Sequence, residues 1–397
     1  MKNQVIIPDN DKKDINISEE KIAIVMALYY REDADKYFNY LSIIPEDINV
    51  FIISSNQDIL QKGKSLKLVH KNLYVIEKEN RGRDLSALLV AFYPYVCEYT
   101  YLCFVHDKKA KHPGLEADIS LWIENLWDNL LYSKNYILKV IDLLKNEGYG
   151  LLLPPKPMGM YKDSMYTNPW DNDYDNVVQL ARTINMNIEI DKKDTESVSL
   201  GSAFWCQTKA LGKLFAHNWT YEEFPEEPMP DDGTISHAIE RIFGFVTADA
   251  GYNTAVIMNT EYASKMIGLL QSKLQYTYEW LWDNAGIKNT YQLSKYYEEK
   301  EMISDIFGKG QVYLYGAGDY GIQYFQKLKI WGYRPEGFIV SDGMKKCESL
   351  CGIPVNELSK IDKEAFIIIT TNPALQDLMA SNLEEKGFSN YYKAVCM

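Results

Sequence analysis

The 397-residue sequence lacks several features that mark common classes of protein. Its 42 lysines and arginines are outnumbered by 55 aspartates and glutamates, and a net charge of −13 argues against a nucleic-acid binder, which needs a basic surface. Its six cysteines show neither the paired spacing of a zinc site nor a dense disulfide framework. Reduced thiols in a reducing compartment are therefore expected.

Long apolar runs are also missing. Residues 1–20 are polar and contain no apolar signal region, and no run reaches the length of a membrane span. We therefore expect a cytoplasmic protein whose contact with the inner face of the cell membrane is at most peripheral. The aromatic stretch 276–282 (YTYEWLW) suits such a contact, although inward packing is the commoner role of aromatic side chains.

What is present is an alternation of strands and helices. Continuous apolar runs predict buried parallel strands, and the segments between them are helical in pattern. The predicted strands are 21–28, 49–55, 72–77, 100–105, 150–153 and 199–206, and the predicted helices include 34–43, 84–96 and 114–147. The alternation predicts an α/β fold with ligands at the carboxyl ends of the strands.

The same patterns predict four parts of the chain. Residues 1–20 form a polar extension, 21–260 the main α/β domain, 261–309 a helical linker, and 310–397 a small Rossmann-like α/β domain. In the last part, a strand-turn-helix contains three glycines at GxGxxG spacing, and an acidic residue follows at the end of the next strand. These residues are Gly316, Gly318, Gly321 and Asp342. They predict a nucleotide site, or alternatively a turn that needs glycine only for packing.

Residues 217–252 hold the strongest candidate for chemistry. Carboxylates crowd residues 222–232, and a capping residue then opens an apolar-periodic helix. Asp232, or alternatively Asp231, is a candidate general base, and His237 and Arg241 lie four residues apart on one helix face, where they could stabilise a leaving diphosphate. The alternative is a solvated acidic loop before an ordinary helix.

Three further segments are candidates for ligand binding. The sequence NRGRD sits at a helix N-terminus, a natural nucleotide site, and HDKK follows a buried strand, where lysines could neutralise a diphosphate. The residues concerned are Asn80, Arg81, Gly82, Arg83, Asp84, His106, Lys108 and Lys109. Asp107 is a candidate ligand of a divalent metal. Ser202 and Trp205 are candidates for stacking an acceptor sugar. Each segment has an alternative in ordinary turns, surface charge or core packing.

The ordered series ENRGRD, HDKKAKH, LWIENLWDNLL, LLLPP, GSAFW and EEFPEEPMPDDGTISHAIER resembles the rhamnan-synthesis F family of bacterial polysaccharide glycosyltransferases over about residues 21–255. The resemblance implies a GT-A-like nucleotide-sugar-binding domain. It also implies transfer of a sugar, often rhamnose, from a nucleotide-diphosphate donor, with a dTDP-sugar expected. The implied acceptor is a surface polysaccharide or its lipid-linked form, made together with other glycan-assembly proteins.

The resemblance also implies a mechanism, with Asp232 as an inverting base and the residues around His106 near the diphosphate. One departure concerns residues 106–110, where the family form is closer to His-Thr-Lys-Lys-Ser. Here Asp107 replaces the threonine and Ala110 replaces the serine. Because Asp107 adds a possible metal ligand, metal dependence stays open. The C-terminal part resembles small Rossmann-type units of sugar-nucleotide enzymes. Two alternatives remain: an NAD-dependent sugar-nucleotide oxidoreductase or epimerase, and a non-catalytic sugar-nucleotide-binding protein.

Overall fold

The computed structural model describes residues 3–10, 15–67, 71–109, 116–156, 168–230, 232–285 and 290–394. The chain divides into two compact units, Met1–Met266 and Ile267–Met397. Each unit is built on its own sheet, and each is described by itself below.

The first unit contains an eight-stranded sheet among the described residues. Its strands are β1 (Asn3–Ile7), β2 (Ile22–Ala27), β3 (Asn49–Ser54), β4 (Leu73–Glu77), β5 (Tyr101–His106), β6 (Tyr149–Leu153), β7 (Phe204–Gln207) and β8 (Asn253–Asn259). Their order is β1-β8-β6-β7-β5-β2-β3-β4, and β7 alone runs antiparallel to its neighbours. This mainly parallel sheet confirms the predicted α/β class.

Strand β2 is an internal strand of this sheet. Its six residues are all buried, and alternate residues belong to two different cores, with Val25 in one and Ile24 in the other. The sheet is therefore covered on both faces, as continuous apolar strands require. Because β3 and β5 flank β2 on opposite sides, the strand order reverses there, and ligands of open α/β sheets bind at the carboxyl ends beside such a switch point.

Helices cover both faces of the sheet. Those of the first unit are Ala34–Phe38, Gln57–Leu66, Arg83–Ser86, Tyr93–Val96, Glu116–Leu130, Lys134–Asn146, Tyr174–Thr183, Gly212–Ala216 and Ile235–Asp249, with short 3-10 or π turns at Asn39–Ile43, Ala87–Ala91, Thr208–Leu211 and Tyr221–Glu223. Local capping explains several starts. The side chain of Asn56 accepts from the amide of Asp58, and that of Ser133 accepts from the amide of Tyr136. The helix Thr260–Ala285 begins in this unit and continues into the second.

Two sequence-based predictions for the first unit need correction. Asn3–Ile7 is not part of a polar extension: it forms edge strand β1 and pairs in parallel with β8, burying Ile7. Its short apolar run was hidden among polar neighbours. The second concerns residues 155–195, whose polar, aromatic, proline- and asparagine-rich sequence predicts a long loop; their described part contains the helix Tyr174–Thr183.

The second unit is a smaller α/β structure with mostly parallel strands. Its strands are β9 (Val312–Tyr315), β10 (Gly337–Val340), β11 (Ser349–Leu350), β12 (Ile353–Glu357), β13 (Phe366–Ile369) and β14 (Tyr391–Lys393), in the order β11-β12-β10-β9-β13-β14. Its further helices are Thr290–Phe307, Asp319–Ile330, Pro373–Glu385 and the 3-10 turn Leu358–Lys360. Only β11 is antiparallel to its neighbour within the described sheet.

The segment predicted as a linker belongs to this second unit. The helix Thr290–Phe307 places Tyr296, Ile303 and Ile306 in the core of the unit. Sequence periodicity could not distinguish an exposed connecting helix from one that packs on a sheet. No helix in the described ranges is long and apolar enough to cross a bilayer.

A buried ion pair ties that helix to the helix Asp319–Ile330. Lys327 and Glu299 are each 3% exposed, and the Lys327 ammonium contacts the Glu299 carboxylate. The hydroxyl of Tyr324 donates to the same carboxylate at 2.6 Å, and the Trp331 ring centroid lies 5.1 Å from the Lys327 Nζ atom. Both charges are thus paired, hydrogen-bonded and enclosed.

We predict that Lys327→Ala destabilises the second unit by about 3–5 kcal/mol, because it leaves the Glu299 carboxylate buried without its cation. Hydrogen exchange of the β9 amides measures this opening free energy. The matched control is Lys393→Ala, which removes an exposed ion pair with Asp377 and should change exchange little. Equal protection in the two variants would contradict the prediction.

Candidate functional site

The NRGRD segment, residues 80–84, lies against the acidic segment, defined here as residues 222–230. Arg81 Nε donates to the carbonyl of Phe224 at 2.7 Å, and Arg83 Nη2 donates to the carbonyl of Met229 at 3.0 Å. Arg83 Nε also lies 3.4 Å from Glu227 Oε1. Arg81 and Arg83, which the sequence predicts to bind a nucleotide, therefore bind the protein's own acidic segment. The tertiary structure in this way brings two separate sequence motifs together.

Gly82 makes this close approach possible. Its φ is +70°, in the left-handed region, and a Cβ atom there would lie 2.6 Å from the ring of Phe224. Phe224 is buried in the core of this face and packs near Trp219. No other residue type satisfies both the backbone conformation and the available space.

A carboxylate pair and one guanidinium form the centre of the candidate site. Arg241 Nη2 lies 3.3 Å from Asp232 Oδ1, and Arg241 Nη1 lies 3.0 Å from Asp173 Oδ2. Arg241 also donates to the carbonyls of Pro169 and His237 at 3.2 and 3.1 Å. Since this buried guanidinium is already occupied by protein groups, the structure does not support its predicted role as a ligand of the donor diphosphate.

The two carboxyl groups differ in their pKa. Burial and the hydrogen bond with Asp232 raise the pKa of Asp173 to about 6. For Asp232, burial acts to raise the pKa, but the hydrogen bond from Asp173 and the nearby Arg241 and His237 outweigh it and hold the pKa below its usual value. Asp232, with its side chain 24% exposed, is thus the ionised and accessible member of the pair.

His237 lies one turn into the helix that follows Asp232. Its Nδ1 atom is 2.8 Å from Thr234 Oγ1, in a capping interaction at the helix start. Burial lowers the pKa of His237, so the imidazole is neutral near pH 7. The alternative base, Asp231, lies outside the described residues.

Two places in the first unit offer possible metal ligands. Ligand atoms of Asp173, Asp232 and His237 lie within 4.8 Å of one another, but the Arg241 guanidinium contacts both carboxylates and would repel a divalent ion. Asp107 belongs to no such three-residue group in the part of the chain that the structure describes. The group of Asp173, Asp232 and His237 is therefore a poor site for a divalent ion, and metal binding by Asp107 stays a prediction.

Asp107 instead fixes the turn after β2. Its Oδ2 atom accepts from the backbone amides of Tyr29 and Tyr30, each at 2.7 Å, and burial raises its pKa to about 6. His106 Nδ1 donates to the Asp107 carbonyl at 2.9 Å, and His106 Nε2 lies 3.8 Å from Asp84 Oδ2. These contacts join β2, β5 and the NRGRD segment at the switch point.

The remaining polar candidates of the first unit border this point. Lys108 Nζ lies 3.8 Å from the centroid of the Trp122 ring, and Lys109 Nζ lies 3.5 Å from Glu32 Oε1. Asn80 Oδ1 accepts from the Ser55 hydroxyl at 3.3 Å. Both lysines directly follow the β5 strand end, where an anionic ligand of this fold is expected.

The two predicted acceptor residues are not placed to contact an acceptor. Trp205 is fully buried in β7, and its indole donates to the Leu130 carbonyl at 2.9 Å. Ser202 is buried as well. Because β7 is an internal strand covered on both faces, core packing explains Trp205, and Ser202 is enclosed just before that strand.

The glycine turn of the second unit combines packing with one open position. A Cβ atom on Gly316 would lie 2.3 Å from the Thr370 carbonyl oxygen, and one on Gly321 would lie 1.9 Å from the Gly316 carbonyl oxygen. Gly318 has no atom within 4 Å of its Cβ position. Two glycines are therefore required for packing, and only Gly318 leaves space for a ligand.

Asp342 is already engaged in that unit. Its Oδ1 atom accepts from the backbone amide of Ser359 at 2.9 Å, and its Oδ2 atom contacts the Lys386 ammonium. A ribose hydroxyl would have to compete with these two partners for the carboxylate.

Sequence reasoning missed three polar residues of the first unit. Asp173 sits in a polar stretch, PWDNDYD, whose burial no local pattern reveals. Burial lowers the pKa of Lys78 to about 8, and its Nζ atom donates to the carbonyls of Glu79 and Arg81. Tyr30 follows the buried strand β2, which is the signal that could have identified it, and burial raises its pKa.

We predict that Gly82→Ala destabilises the first unit by about 2 kcal/mol or more, since the new methyl group would overlap Phe224 as well as strain the backbone. Urea denaturation measures the change. Gly251→Ala is a matched control, because its φ of +81° imposes similar strain without any atom near the Cβ position. If Gly82→Ala lowers the free energy of unfolding no more than Gly251→Ala does, the Phe224 side chain moves aside without cost and the prediction is wrong.

Comparison with known proteins places this site in a family. The model of "Rhamnan synthesis protein F" matches residues 1–252. Two curated relatives, each described as uncharacterized protein WxcX, come from Xanthomonas campestris pv. campestris strains B100 and ATCC 33913. Each is 23% identical over 246 residues, which cover 62% of this chain. The chain spans 34% of the length of these relatives.

A solved structure, the crystal structure of S. aureus TarS 1-349, aligns over 59% of this chain and 57% of its own at 13% identity. Its TM-score is 0.30, which is too low to bear on fold or activity. The family match covers the segments from ENRGRD to DDGTISHAIER that carried the resemblance, and it confirms that resemblance. This chain belongs to the rhamnan synthesis protein F family.

Proposed function

We propose that the protein is a glycosyltransferase that moves a deoxyhexose, rhamnose by preference, from a nucleotide-diphosphate donor to a surface polysaccharide or its lipid-linked precursor. The observation that carries the proposal is the Asp232 carboxylate, which is ionised, partly exposed and held by Arg241. Membership of a rhamnan-synthesis family supports the class of product.

In the proposed reaction, Asp232 accepts the proton of an acceptor hydroxyl group. The hydroxyl oxygen then attacks the anomeric carbon of the donor, and the bond from that carbon to the diphosphate oxygen breaks. The electron pair leaves with the nucleoside diphosphate. One base and one displacement invert the configuration at the anomeric carbon.

The donor is proposed to bind at the carboxyl ends of β2 and β5. Lys108 and Lys109 follow β5, and their charges suit a diphosphate. Arg81 and Arg83 act here by holding the acidic segment that leads to Asp232. A dTDP-sugar is the proposed donor.

We predict that Asp232→Asn lowers kcat for sugar transfer by about a hundredfold or more, because the amide cannot accept the proton. Donor affinity, measured by calorimetry, should stay close to that of the wild type. Asp175→Asn removes an exposed carboxylate nearby and serves as the matched control. Normal turnover in Asp232→Asn would exclude Asp232 as the base.

We predict that replacing Lys108 and Lys109 together by alanine weakens the binding of dTDP-rhamnose by about tenfold or more, since two charge-assisted contacts are lost. Calorimetry at low salt measures the affinity. The matched control replaces the adjacent exposed Lys192 and Lys193, of which Lys192 also lies over an aromatic ring, that of Tyr174. Unchanged affinity in the first variant would make these lysines ordinary surface charge.

The same calorimetry separates the alternatives. The open position at Gly318 makes the second unit a candidate for a nucleotide or sugar-phosphate that regulates or assembles the protein. Binding of NAD without binding of a nucleotide sugar would favour an oxidoreductase or epimerase. Binding of a nucleotide sugar without any transfer would favour a non-catalytic sensor.

A further inference from the structure

Asp173 is a fully enclosed carboxylate in the first unit. It stands immediately before the helix Tyr174–Thr183 and has no exposed surface. Asn176 Nδ2 donates to its Oδ1 atom at 3.1 Å, and its Oδ2 atom faces Arg241 Nη1 at 3.0 Å. A buried carboxylate is costly unless it is paired, so its pairing with this one guanidinium calls for a reason beyond packing.

Arg241 connects Asp173 to the proposed base. Its two terminal nitrogens reach different carboxylates, Nη1 to Asp173 and Nη2 to Asp232. The carbonyls of Pro169 and His237 take further N–H groups of the same planar guanidinium. A planar guanidinium that makes three hydrogen bonds and one ion contact has a single orientation, and this orientation is transmitted to Asp232.

We propose that Asp173 is a positioning residue for the transfer reaction: it holds the Arg241 guanidinium in the plane from which Arg241 orients the Asp232 carboxylate. This role rests on the proposed function, because it assigns Asp173 an effect on the base and not on the substrate. Asp173 itself, being enclosed, touches neither donor nor acceptor.

The charges of Asp173 and Asp232 make stability depend on pH in a way that packing alone would not. Two carboxylates face one guanidinium, so below about pH 6 Asp173 holds a proton and the cluster is neutral, and above this pH it carries an excess negative charge. Among the described residues, the charged or titratable groups that act on the pair of Asp173 and Asp232 are Arg241 and His237 of one helix. Glu240 of the same helix and Arg83 of the NRGRD segment act in turn on His237.

The first test needs no transfer activity. Because the pKa of Asp173 is raised in the folded state, its favourable contribution to stability is present at low pH and lost as pH rises through about 6. The Tm of Asp173→Asn minus that of the wild type should therefore rise between about pH 4.5 and 6.5. A difference that is flat across this range would overturn the charge arrangement and the proposal with it.

Asp249→Asn is the matched control on the helix that also carries Arg241. Its side chain is likewise fully enclosed, pairs with Lys213 at 2.7 Å and accepts from the amides of Asn187 and Ile188. Its pKa is lowered, against the opposing effect of burial, so its Tm difference from the wild type should be flat over the same range.

The second test separates kcat from donor KM. Asp173→Asn should lower kcat by about a hundredfold, the scale of a misplaced catalytic group, and leave the donor KM within about twofold. Asp249→Asn should lower Tm without changing either constant. An unchanged kcat in Asp173→Asn, or an equal loss in Asp249→Asn, would overturn the positioning role. A wild-type protein that transfers no sugar would remove the proposed function and this role together, while the first test would still report on the charge pair.

Discussion

The arginine contacts between the NRGRD segment and the acidic segment are the constraint on which the candidate site depends. Arg81 and Arg83 hold main-chain carbonyls of Phe224 and Met229, and Gly82 permits the approach by leaving room for a ring. The carboxylates of the acidic segment repel one another, and these arginine contacts keep the segment in place against the NRGRD segment. Held in this way, the run delivers the following residues to the start of a helix, where a base can face a ligand at the strand ends.

The electrostatics of the site follow from burial of unlike and like charges together. Burial and the neighbouring Asp232 raise the pKa of Asp173 and favour its protonated form, although Arg241 acts in the opposite direction, while Asp232 stays ionised. The same cation makes a divalent ion at this place unfavourable. At the switch point, Asp107 is used by two backbone amides and stiffens the turn beside the strands, so the acid that suggested a metal has a structural task.

The two units use glycine and charge differently. In the first, Gly82 serves a contact between distant segments. In the second, Gly316 and Gly321 serve the packing of a strand-turn-helix, and the open Gly318 position is the part of the GxGxxG pattern that packing does not explain. The ion pair of Lys327 and Glu299 makes a helix predicted as a linker into a part of the second core. The GxGxxG motif therefore predicted the turn correctly, but it did not predict which of its glycines serve packing and which leaves space.

The sequence by itself determined the α/β class, the buried strands β2 and β5 and the family, because continuous apolar runs and ordered motifs are local properties of a chain. It also identified Asp232 as a candidate base, a role that remains a prediction. Only the tertiary structure decided which groups contact one another. Arg81 and the carbonyl of Phe224 are 143 residues apart, and no spacing rule predicts their contact. It also decided that Trp205 is core and that Asp173 is buried, since the layers that cover a residue come from segments distant along the chain.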